Sequence, residues 1–322
     1  MWYKTLDLLV VGLSLSLYFL GFALGGIYSF RSSATLSRIL GILLSAHAIT
    51  AIGLAGFGYG YFALLFALPV GVTSGGLLSL PVAKVMTPTR TILLSSFPFI
   101  GALLMVYFGE DSPLVLSASI ALIAAAILFG SLKAVVPKPP FTEKIRIGIP
   151  LKYAVFAIGT ALGGTMGTAL SSVIAAVYYE VSLVYIGAVI AASLVISQFL
   201  GGSLVSQNAL QKTMGTTIGL SLFFVLFIMA ITDSQIAFMV LWLVVLVDLS
   251  IYNTFVMAVV KTLKQCNELS FSIFSSIVSA FAPIFAILMW ATGTFHVIFF
   301  FSAMLILVSI FTLRQILKTR GQ

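Results

Sequence analysis

Charge is what this sequence has least of. Asp, Glu, Lys and Arg make up 7% of its 322 residues, while hydrophobic types make up 61%. Too few polar side chains remain to coat an ordinary soluble domain, so the chain reads as a polytopic membrane protein. Cysteine is nearly absent. Cys266 stands alone, which excludes an internal disulfide and a cysteine-built metal site. His47 lies inside an apolar run and His296 at the edge of another, so they make no matched pair for haem. Neither a cofactor nor a metal is expected. The formal charge of +8 does not imply nucleic acid, because the basic residues are spread through the gaps between apolar runs and not gathered on one face.

Enzyme readings fail on similar grounds. An intramembrane aspartyl protease needs two carboxylates in the bilayer, and Asp248 alone lies deep in an apolar run. Thr73-Ser74-Gly75 resembles a nucleophile turn with no histidine placed to serve it, and no Walker loop is present to bind ATP.

Apolar length is what the sequence has in quantity. A hydrocarbon core about 30 Å thick takes about 20 residues of helix. Runs of that size predict eleven spans, at 8–30, 38–57, 61–84, 90–108, 113–132, 152–178, 182–205, 213–231, 235–260, 269–291 and 294–315. The opening MWYKTLD has one lysine and no small-residue cleavage site, so the first run reads as a span and not as a signal peptide. The stretch 133–152 interrupts the series with Lys133, Lys138, Lys144, Arg146, Lys152 and four prolines, which forbid a continuous helix. It divides the chain into an N-terminal bundle of five spans, 1–132, a basic cytoplasmic linker, 133–152, and a C-terminal bundle of six spans, 153–322.

The charges agree with this count. With the N-terminus outside, fifteen of the sixteen basic residues fall in the inward gaps, and only Lys4 falls opposite. The acids are biased the other way, with Asp7, Glu110, Asp111, Glu180 and Asp233 outward against Glu143 and Glu268 inward. The expected setting is the cell membrane, with the C-terminus cytoplasmic. A shift of about 180 residues lays Phe19-Leu20-Gly21 on Phe199-Leu200-Gly201 and Lys84 on Lys264, with spans one to five over spans seven to eleven. Same-direction repeats of this kind are a known transporter architecture.

The chain resembles the major facilitator superfamily, entered at that family's second transmembrane helix. The resemblance rests on Leu20-Gly21-Phe22-Ala23-Leu24-Gly25-Gly26 leading to Arg31 and Arg38, on Gly71 and Gly75-Gly76, on Pro88-Thr89-Arg90, and on the central basic linker. It implies two helical bundles that rock about a central solute site. Spans three, six and nine would face the cavity. The sequence departs from the family at Ala34 and near Ser206, where an aspartate gates the inner face, and near Ala67, where proton-coupled members carry an arginine. Span four lacks the glycine-proline signature of drug antiporters. These departures argue against a proton-driven drug antiporter.

The expected solute or proton-coupling residues are Asp248, Tyr252 and Asn253 in span nine, Thr73 and Ser74 in span three, and Thr165 and Thr168 in span six. An acidic side chain in the bilayer costs about 2.5 to 3.5 kcal/mol on insertion scales and is by default a functional group with a partner. Hydroxyls in the same rows also serve as glue between helices. Gly159, Gly163 and Gly167, like Gly21 and Gly25, recur at four-residue spacing and predict flat faces for close packing. Pro69, Pro81 and Pro283 lie inside spans and predict kinks with a freed carbonyl each. The reading that follows is a secondary permease for a small solute, working in a lipid bilayer. Its alternative is a non-transporting membrane subunit or scaffold derived from a transporter, anchoring another membrane subunit.

Overall fold

In lipid every backbone polar group must find its partner within the segment, so each apolar run closes its own i to i−4 ladder and becomes a helix. The computed structural model describes residues 8–31, 67, 68, 71, 72, 149–208, 212–261 and 268–318. All secondary structure among them is helical. The chain forms two compact units, Met1–Lys144 and Ile145–Gln322.

In the first unit, α1 covers Leu8–Arg31. It meets the helical residues 67, 68, 71 and 72 backbone to backbone, because a Cβ at Gly21 would collide with the Leu68 carbonyl and one at Gly71 with that of Tyr18. Spans two, four and five, with Thr73, Ser74, Pro81 and His47, lie outside the described residues, as does Pro69.

The second unit holds α2 (Leu151–Val177), α3 (Leu183–Asn208), α4 (Lys212–Met229), α5 (Gln235–Lys261), α6 (Glu268–Thr292) and α7 (His296–Lys318). Their ends fall within three residues of the spans expected from hydropathy. Among the described residues α2, α5, α6 and α7 are long and apolar enough to cross a membrane, and the protein is multi-pass. The helices run up and down between two chemically distinct ends. Lys152, Lys212, Lys261 and Lys318 stand at one, and Glu180 and Asp233 at the other.

The acidic end is closed by aromatic packing. Tyr178 and Tyr179, just past α2, meet the Phe295 ring at centroid distances of 4.5 and 6.0 Å, and Phe238 lies 4.7 Å from Tyr179. The Tyr179 hydroxyl donates to the Thr232 carbonyl at 2.7 Å. Burial, with Tyr178 and Asp233 nearby, pushes this phenol up to about 12, so it remains a neutral donor at any physiological pH. His296 Nε2 lies 3.4 Å from Asp233, whose side chain is 81% exposed. A polar contact so open to water adds little stability.

Small residues set the helix spacing inside the unit. Gly159, Gly163 and Gly167 lie along α7: a Cβ at Gly159 would stand 2.8 Å from the Leu305 carbonyl oxygen and 3.0 Å from the Ser309 nitrogen. At Gly163 it would stand 3.1 Å from the Ser302 carbonyl oxygen. The glycine row thus lets two backbones approach, as its spacing predicts. Gly164 points the other way, onto Leu249 of α5.

Candidate functional site

Span six is not one uniform α-helix. Residues Ile158–Leu162 form a π-turn between α-helical segments Leu151–Ala157 and Gly163–Ala169. The i to i+5 pattern is rare, and where it occurs inside an α-helix it disturbs the regular ladder and is frequently found at a functional site. The facing helix, α6, has a disturbance of its own. Pro283 lies inside it, and proline has no N–H to offer the carbonyl four residues earlier, which is that of Ser279.

The two disturbances are joined by hydroxyls. Thr165 Oγ1 donates to Ser279 Oγ at 3.0 Å, and Ser279 Oγ in turn reaches the Ala161 carbonyl, inside the π-turn, at 3.5 Å. Both side chains are half-buried. This gives a polar point shared by two helices, each with a weakened backbone ladder at the same level. A hydroxyl there can exchange its partner for a solute atom at small cost, because intramembrane hydrogen bonds average only about 0.6 kcal/mol and reach about 1.7. A double-mutant cycle of Thr165→Val and Ser279→Ala should therefore give a coupling energy of about 0.6 to 1.7 kcal/mol in thermal unfolding. A coupling indistinguishable from zero would show that the two hydroxyls do not meet.

Thr168, expected alongside Thr165, spends its hydroxyl on its own helix. It donates to the Gly164 carbonyl at 2.8 Å, and Ser171 and Thr160 bond back in the same way to Gly167 and Phe156. Hydroxyls used so satisfy themselves inside an apolar medium and soften the helix locally.

The three candidates of span nine do not converge on one point. Asp248 turns to α4, where its Oδ2 accepts from Ser221 Oγ at 2.6 Å. Tyr252 is fully buried against α7, its hydroxyl 3.0 Å from Ser309 Oγ, beside the face that Gly159 presents. Asn253 is exposed. The partners Ser221, Ser309 and Ser279 were not among the expected site residues. Ser279 alone had a signal in the sequence, since it lies four residues before Pro283.

Among the described residues no cluster of His, Cys, Asp or Glu is placed to hold a metal ion. Thr165, Ser279 and Asn253 are neutral donors and acceptors. They can recognise hydroxyl, amide or carbonyl groups of a solute, and Asp248 is the one carboxyl deep inside a described span.

No family model and no curated protein sequence matches the chain. Solved structures do match. The chain is similar to the nucleoside transporter NupG at 12% identity, with a TM-score of 0.70 over 98% of this chain and 93% of that one. It is similar to the human organic anion transporter MFSD10 at 13% identity, with a TM-score of 0.62 over 94% and 83%. It is also similar to the E. coli fucose:proton symporter FucP at 16% identity, with a TM-score of 0.58 over 98% and 92%. FucP is described as a Major Facilitator Superfamily transporter, and at such low identity the likeness is one of architecture. Through the glycine-spaced bundle and its agreement over nearly the whole chain with these structures, the protein is seen to carry the major facilitator fold.

Proposed function

We propose that the protein is a secondary transporter that carries a small solute across a membrane by exposing a site alternately to either side. Two bundles, 1–132 and 153–322, joined by the basic linker 133–152, would rock against each other. The observation that carries this reading is the hydroxyl bridge between the π-turn of span six and Ser279 of span ten. Alternating exposure needs helices that can change curvature without losing backbone hydrogen bonds, and these two have hydroxyls ready to take up freed carbonyls. The architecture shared with solute transporters supports the same conclusion.

The basic ends of the helices would face the cytoplasm of a cell membrane, with the C-terminus inside and the N-terminus outside. Thr73 and Ser74 of span three, and Thr165, Thr168 and Asn253 of the second unit, are the residues proposed to contact the solute. Tyr252 would hold the cavity wall in place from behind through Ser309. Asp248 is the candidate for proton coupling, acting by keeping or releasing its bond to Ser221.

Uptake into proteoliposomes tests the reading. With a panel of radiolabelled neutral, anionic and cationic solutes, at least one should accumulate above protein-free vesicles, and Thr165→Val should reduce that flux. A second reading, a membrane subunit that anchors another, draws on Ser221: it sits exposed on α4 with its hydroxyl bound to a carboxylate, a polar point that a neighbouring subunit would cover. Absence of uptake for every solute, with the protein well folded, would favour it.

A further inference from the structure

Between the first halves of α3 and α5, at the acidic end, lies a groove of about 470 Å³. Its walls include Tyr185, Ala188 and Ala192 from α3, and Gln235, Met239 and Leu243 from α5. The Tyr185 phenol and the Gln235 amide are its polar groups, and no charged side chain lines it. On α5 these positions belong to one stripe: Gln235, Met239, Leu243, Leu246, Ser250 and Asn253 follow at steps of four, four, three, four and three. Past Gln235 the stripe is apolar through the groove, and it turns polar at Ser250 and the exposed Asn253. Asp248 and Tyr252 are turned away from it, toward Ser221 and Ser309.

We infer that this groove is the selectivity pocket of the solute path, and that it takes uncharged molecules with an apolar aromatic or aliphatic body and one or two hydrogen-bonding groups. The inference rests on the transporter reading and names the solute class for it. An ion in the groove would be stripped of water with no charge to meet it, and a molecule with many hydroxyls would find two polar groups to replace its hydration. An apolar body loses nothing and gains about 25 cal/mol for each Å² it buries. The stripe also argues against lipid as the occupant. A face bathed in hydrocarbon would not carry an exposed amide such as Asn253 well inside the span, whereas a face that opens to a solute path would.

The groove can be tested without any flux. The full chain in phosphatidylcholine nanodiscs is irradiated with a neutral benzophenone, 4-benzoylbenzyl alcohol, or with its anionic counterpart, 4-benzoylbenzoate, and adducts are mapped by peptide mass spectrometry. The neutral probe should mark Met239 and its neighbours at least about tenfold more than the anion, the ratio expected when about 1.4 kcal/mol separates the two. Ala192→Trp should fill the groove and remove the label. Gln235→Lys, which leaves the groove open, should admit the anion and reverse the preference. Equal labelling by both probes overturns the inference. So does neutral label spread over exposed apolar residues such as Phe224 and Phe301 without enrichment at Met239, or a tightly held lipid that blocks it. Specific labelling in a protein that shows no uptake leaves the groove and removes the transport reading. Uptake of solutes with no label in the groove does the opposite.

Discussion

Exchange of Gly159 for leucine is expected to cost the second unit its fold. A single Cβ at this position already stands 2.8 Å from both the Leu305 carbonyl oxygen and the Ser309 Cβ, and 3.0 Å from the Ser309 nitrogen. Backbone atoms cannot move aside as the tip of a side chain does, so α2 would have to leave α7. With it would go the pairing of Tyr252 and Ser309, which lies under the same contact. Gly159→Ala, which adds only the Cβ, should cost about 1 to 3 kcal/mol. Gly159→Leu should exceed about 3 kcal/mol and leave little monodisperse protein in size-exclusion chromatography. Gly293→Ala is the control. The nearest atoms to a Cβ there are 3.6 Å away, an ordinary contact, and its melting temperature should stay within the change expected for about 0.5 kcal/mol. If Gly159→Leu melts with the wild type, the glycine row does not set the spacing of these helices.

The second large effect is expected at Asp248. Asparagine keeps the size of the side chain and an oxygen to accept from Ser221, but it cannot carry a proton. Under the coupling role proposed for this carboxyl, Asp248→Asn should lower uptake driven by a pH gradient by about tenfold or more, equivalent to at least about 1.4 kcal/mol. Exchange of labelled for unlabelled solute with no gradient should survive, because the solute contacts are untouched. Ser221→Ala removes the hydroxyl and keeps the acid, and should shift the pH dependence of uptake without abolishing it. Gradient-driven uptake by Asp248→Asn equal to wild type would leave the carboxyl as a hydrogen-bonded link between α4 and α5 and nothing more.

The spans were legible because each answers to a local rule. Leu8–Arg31 and the helices from α2 to α7 end within about three residues of the positions read from apolar runs, since a helix in lipid satisfies its own backbone. The glycine row of α2 was legible for the same reason, as its spacing fixes a face whatever packs there. The site was legible only in part. Thr165 stood out as a hydroxyl in an apolar run, but its partner Ser279 lies 114 residues away, and the π-turn beneath them left no mark on composition. Asp248 and Tyr252, four residues apart, share a face by periodicity. That small angular difference nevertheless sends one to Ser221 on α4 and the other to Ser309 on α7.

The sequence by itself determined that the backbone threads a bilayer more than once and, among the described residues, where its helices lie, because transfer of apolar length out of water and the internal satisfaction of backbone hydrogen bonds are settled segment by segment. Only the tertiary structure decided which helix stands beside which, that the π-turn of α2 meets Ser279 of α6, and that α3 and α5 part to leave a groove. Between helices already in lipid, association depends on close van der Waals fit and not on hydrophobicity. Hydropathy therefore carries no information about the choice of neighbour.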